Sequence, residues 1–124
     1  MERYFTVEEA NAALEVIRPL VAEMLGLRQE LLGRQAQAIP ALRQAKGNGG
    51  NPAASQLVED FGRLESLVQR IQAAGALVKD VNTGLLDFPA MREGREVYLC
   101  WRYNEPSVQF WHEIDAGFSG RQEL

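Results

Sequence analysis

Residues 95–114 read REVYLCWRYNEPSVQFWHEI, and the way this stretch folds back on itself decides which side chains can meet. Arg95–Tyr103 and Val108–Ile114 are rich in aromatic and β-branched residues, and NEPS (Asn104–Ser107) between them is a turn composition. The stretch therefore reads as two antiparallel strands about a four-residue turn. Pairing on that turn sets Tyr103 opposite Val108, Trp101 opposite Phe110, Leu99 opposite His112 and Val97 opposite Ile114. One face then carries Val97, Leu99, Trp101, Tyr103, Val108, Phe110, His112 and Ile114. The other carries Tyr98, Cys100, Arg102, Gln109, Trp111 and Glu113. A slip of one residue moves every side chain of one strand to the other face, so the apolar pattern selects this register. It places Cys100 and His112 on opposite faces.

Immediately upstream, GLLDFP (Gly84–Pro89) reads as a short strand closed by its proline, and MREG (Met91–Gly94) as a turn. Downstream, DAGFSGRQEL (Asp115–Leu124) reads as a glycine-rich tail docked through Phe118 and Arg121.

The first eighty residues follow a different period. Thr6 with Glu9 three residues later forms a capping box, Glu8 and Glu9 suit the positive end of a helix dipole, and Phe5 is placed as a staple against Ala10. Ala10, Leu14, Ile17, Val21, Met24 and Leu31 then recur at spacings of three and four, widened by Ala13, Leu20 and Leu27. The phase runs through Pro19 unbroken, which predicts a kinked but continuous helix. KGNGGNP (Lys46–Pro52) is a linker. The second helix is expected over Ala53–Asp80, with a heptad seam of Leu57, Phe61, Leu64, Val68, Ile71, Gly75 and Val78 and a left-handed cap at Asn82 or Gly84. Gly75 on that seam predicts a close approach to the backbone.

The expected fold is α+β in one domain: a long antiparallel helical hairpin over about 6–82, then a small three-stranded antiparallel β-meander and tail over about 84–124. Two such helices carry more apolar stripe than they can bury on each other, so either the β segment covers the exposed side or two hairpins pair into a four-helix bundle, and the homodimer is the favoured expectation.

Composition narrows the function classes. The 124 residues are 46% hydrophobic and 24% charged with a formal net charge of -4, and arginines are scattered among carboxylates, so a nucleic-acid partner is disfavoured. One cysteine excludes an intrachain disulfide. MERYFTVEEA lacks the apolar core of a signal peptide, and no apolar run approaches the ~20 residues that span a bilayer. The expectation is a cytoplasmic protein with no membrane contact.

The candidate ligand-facing surface is Cys100, Arg102, Trp111, His112, Glu113, Asp115 and Arg121. His112, the single histidine, stands in HEID, which is not the two-histidine HExxH of metalloproteases. One cysteine and one histidine on opposite faces do not make a zinc set, so His112 reads as a structural residue satisfied by a carboxylate or carbonyl. Cys100 is a nucleophile only where something lowers its pKa. Asp87, Glu105, Glu113 and Asp115 could supply paired carboxylates, with Glu113 and Arg102 expected as a cross-strand ion pair. Trp101 and Trp111 are expected to pack against the helices or a partner. GFSGRQ could hold an anion on backbone amides and an arginine, but lacks the P-loop pattern.

GLLDFPAMREGREVYLCWRYNEPSVQFWHEIDAGFSGRQEL and the opening FTVEEANAAL resemble an uncharacterised bacterial domain-of-unknown-function family, DUF2203. The residues that carry the likeness are Asp87, Phe88, Pro89, Cys100, Trp101, Glu105, Trp111, His112, Gly117, Gly120 and Arg121. The resemblance implies one cytoplasmic domain and no particular activity. The functional expectation is a non-enzymatic interaction or oligomerisation module with an unidentified protein or small-molecule partner. The alternative is a small enzyme or a ligand- or metal-binding protein with its site near His112, Cys100 and neighbouring carboxylates. No cofactor, metal or catalytic group is assigned.

Overall fold

A computed structural model describes residues 3–44 and 52–124. Helix α1 spans Val7–Gln44 and helix α2 Pro52–Ala73. Strands β1 (Leu77–Asp80), β2 (Leu85–Arg92), β3 (Arg95–Arg102), β4 (Phe110–Glu113) and β5 (Gln122–Glu123) follow, with a 3-10 turn at Phe118–Gly120 before the last. The class is α+β, as expected. The sheet has five antiparallel strands in sequential order, however, and not three. Of the expected linker Lys46–Pro52, only Pro52, the first residue of α2, lies within the described residues.

The capping box forms as read: the Thr6 hydroxyl accepts from the Glu9 amide at 3.0 Å and the Glu9 carboxylate accepts from the Thr6 amide at 2.9 Å. From there α1 runs through Pro19 without interruption for 38 residues, about 57 Å at 1.5 Å per residue. Its predicted stripe is the core: Ala10, Leu14, Ile17, Leu20, Val21, Met24, Leu27 and Leu31 are all buried. α2 returns alongside, with Asp60 pairing with Arg34, and Leu67 and Arg70 flanking Glu23.

The second helix ends seven residues earlier than the heptad phase suggests. Gly75 has φ 113°, a left-handed conformation that no β-carbon-bearing residue adopts cheaply, and it stops α2 instead of lying on its seam. The close approach expected there is real, but its partner is not a second helix. A β-carbon on Gly75 would meet Phe5 Cζ at 2.1 Å. Phe5 is not merely a staple for α1: its ring packs edge-on against Phe88 at 5.2 Å and its amide donates to the Pro89 carbonyl. The chain entering α1 is thereby tied to the end of α2 and to β2. Val78, expected on the helical seam, is in β1 opposite Leu86.

Pro89 does not close its strand. β1 pairs with β2 only as far as Leu77 opposite Asp87, so Pro89 lies beyond that neighbour and its missing N–H costs no ladder bond. β2 continues to Arg92 and turns into β3 on Glu93 and Gly94, both at positive φ, the two-residue hairpin geometry that matches strand twist. Leu86, Phe88 and Ala90 on β2 and Val97, Leu99 and Trp101 on β3 then form one buried face, in one cluster with α1 and α2.

The β3–β4 register differs from the sequence reading by one residue. Val97 pairs with Glu113, Tyr98 with His112, Leu99 with Trp111 and Cys100 with Phe110. The connection is the cause. It is not a four-residue turn but the whole of 103–109, held by α1 and by β3. Arg18 donates to the carbonyls of Glu105 and Pro106 at 3.2 and 3.0 Å, and Trp101 Nε1 donates to the Glu105 carbonyl at 2.9 Å. Asn11 accepts the Val108 amide at 2.7 Å. These anchors set where β4 begins, and with it the parity of every β4 side chain.

Candidate functional site

The corrected register exchanges the faces of β4. Trp111 lies opposite Leu99 on the helix-facing side and is buried; His112 moves to the other side with Cys100. The β2–β3 pairing places Asp87 directly opposite Cys100 on that same face. Asp87, Cys100 and His112 thus project from three neighbouring strands into one spot. They are 3%, 0% and 2% exposed, and their ligating atoms all lie within 4.8 Å of one another.

His112 is pinned at both ring nitrogens. Nδ1 lies 2.7 Å from the Glu113 carbonyl oxygen, which can only accept, so Nδ1 carries a hydrogen and donates. Nε2 lies 3.0 Å from Asp87 Oδ1. Two lone pairs cannot face each other in a buried site, so a proton or a cation must lie between them. Tyr98 flanks the imidazole at 5.6 Å between ring centroids, and Lys79 stands over Tyr98 at 4.8 Å.

Burial pushes the Cys100 thiol up to about 12, and the neighbouring Asp87 carboxylate pushes the same way against the opposing Arg121. At neutral pH the thiol holds its proton, which removes the nucleophile reading. Arg121 belongs to the segment after β4. Its guanidinium donates to both Glu105 oxygens at 2.9 and 2.6 Å and to the Cys100 carbonyl at 3.2 Å, and it stacks 4.1 Å above Phe110. Burial raises the Glu105 pKa, but the Arg121 and Arg102-amide hydrogen bonds outweigh it and hold the group below the usual carboxylate range. Because Arg121 is committed to Glu105, GFSGRQ does not present a free anion-binding arginine.

The other candidates separate. Arg102 is exposed and lies over the Phe118 ring at 5.1 Å. Its expected ion pair with Glu113 is absent: Glu113 is on the opposite face and accepts from Arg95 Nε at 3.0 and 3.1 Å. Trp111 is covered by Arg92 at 4.5 Å on its own face, away from Cys100. Asp115 is exposed in the turn after β4. The expected ligand-facing surface is therefore divided, with Cys100, Arg102 and His112 on one side of the sheet and Trp111 and Glu113 on the other. Asp87 and Glu105, absent from that candidate surface, are central. Asp87 had a usable signal: a two-residue turn at Glu93–Gly94 puts it opposite Cys100 by counting back along the hairpin.

A family model described as an uncharacterized conserved protein (DUF2203) matches residues 3–124. The chain belongs to DUF2203. No curated protein and no solved structure matches it. Of the residues that carry the DUF2203 resemblance in the sequence, Asp87, Cys100, Glu105, His112 and Arg121 converge here on one buried polar cluster and its flanking ion pair. Among the described residues, no helix is long and apolar enough to cross a membrane.

Proposed function

We propose that this DUF2203 chain is a cytoplasmic, non-enzymatic interaction module that works as a homodimer, with the helical hairpin as the interface. One observation carries the reading: the coiled-coil-like seam of α2 is only partly used within a single chain. Ile71 and the adjacent Leu67 are buried and Leu57, Leu64 and Val68 pack half-buried against the same core, but Phe61 is 44% exposed. Val58 beside them is 73% exposed. Heptad positions of this kind act as knobs and need a facing helix to supply the holes. A second copy related by a two-fold axis supplies the same stripe reciprocally and makes four helices from two hairpins.

Light scattering on the full chain at tens of micromolar tests the reading. The expected mass is that of two chains, and Phe61→Glu is expected to reduce it to one chain while the helical circular dichroism signal is retained. A wild-type mass of one chain across that concentration range overturns the proposal.

A further inference from the structure

Dimerisation through the hairpin gives no account of the polar cluster inside the sheet. A thiol, an imidazole and a carboxylate are costly to bury together in a domain this small, and neighbouring core positions are filled by apolar side chains. Their arrangement has three properties that apolar packing does not require. The donors come from β2, β3 and β4, one from each, and converge within 4.8 Å. The imidazole is held by its Nδ1–H on the Glu113 carbonyl, the backbone contact that typically orients a metal-bound histidine and leaves Nε2 as the ligand. Nε2 in turn is aimed at Asp87, where a positive species is needed to separate the two lone pairs.

We propose that Asp87, Cys100 and His112 bind one divalent transition-metal ion of the zinc type, through a carboxylate oxygen, Sγ and Nε2, with a water molecule as fourth ligand. Sulfur and imidazole donors select this class over magnesium and calcium, which take oxygen shells. Bond lengths of roughly 2.0–2.3 Å set tetrahedral ligand separations of about 3.3–3.6 Å, and the present ligand atoms already lie within 4.8 Å of one another. The charge balances. Without metal, the site is neutral with one proton on the thiol and one shared between Asp87 and His112. With metal, those two protons leave and the ion's two positive charges are met by the thiolate and the carboxylate. The ion would fasten three neighbouring strands to one another.

Refolding the tag-free full chain from urea in the presence of Co2+, with the spectrum read after removal of excess metal, tests this. The expected result is one equivalent of cobalt per chain, with the intense visible bands of tetrahedral Co2+ and a thiolate charge-transfer band, both lost on adding one equivalent of Zn2+. Cys100→Ser should abolish the charge-transfer band. It should also weaken Co2+ binding by more than the roughly 10–100-fold typical of changes outside the ligand set. His112→Gln should weaken binding to the same extent; if that variant does not refold, the Cys100→Ser spectrum decides. Absence of tetrahedral bands in the wild-type chain overturns the proposal, as does a charge-transfer band that survives Cys100→Ser.

Discussion

Helix α1 and the β3–β4 pair were both patterned in sequence, yet the phase of the helix was readable and the parity of the strand pair was not. Along α1 each buried position is checked by the next. Eight apolar residues from Ala10 to Leu31 agree on one face, and a wrong phase would fail within a turn or two. A strand pair carries a single binary choice, and nothing further along the strand corrects it. In β4 that choice depends on alternation between a buried and a solvated face. Both faces at the sheet centre are in fact covered: the helices lie over Leu99 and Trp111, while His112 and Cys100 are closed off by each other and by their neighbours. Alternation loses its meaning where both sides are dry.

The contrast can be broken at the joints between the two regions, the largest effect first. Gly75 joins α2 to β1 with a Phe5 ring packed on its α-carbon. Gly75→Ala combines a strained positive φ with an overpacked contact, and should cost about 2–5 kcal/mol in a urea unfolding titration. An unchanged midpoint would mean that α2 does not end there. Asn11 is, with Arg18, a helix-side anchor of the β3–β4 connection. Asn11→Ala leaves the Val108 amide without its acceptor and should cost about 1–3 kcal/mol, with faster hydrogen exchange confined to residues 103–109 and β4. Uniform loss of protection would contradict a local anchoring role.

A smaller effect sharpens the account of the C-terminal segment. Glu105 is held below its unfolded value of 4.5, so its ion pair with Arg121 stabilises the fold fully above that pH. The contribution is lost as pH falls through the lower folded-state value. Unfolding midpoints measured from pH 7 down to pH 3 should therefore decline less steeply in Glu105→Gln than in the wild type. Identical slopes would remove the pair from the stability account.

One strand pairing of the sheet could be counted from residues alone. The Glu93–Gly94 turn fixes β2 against β3, and from it Asp87 opposite Cys100 follows without any structure. The extension of β2 through Pro89 was hidden because it depends on β1 being short, and β1 was hidden because Val78 matched the helical seam. The start of β4 is set by Arg18, Asn11 and Trp101, whose partners lie up to 97 residues away in sequence, so no local pattern encodes it. The candidate site inherits that limit. Its residues were nearly all in view, but their meeting depends on one residue of slack in a loop anchored from the far end of the chain.

Cross-strand proton contacts measured by NMR on the labelled full chain read the β3–β4 register directly. Backbone contacts linking Tyr98 with His112 and Cys100 with Phe110 are predicted. Contacts linking Leu99 with His112 and Trp101 with Phe110 would contradict it, and would return Cys100 and His112 to opposite faces of the sheet.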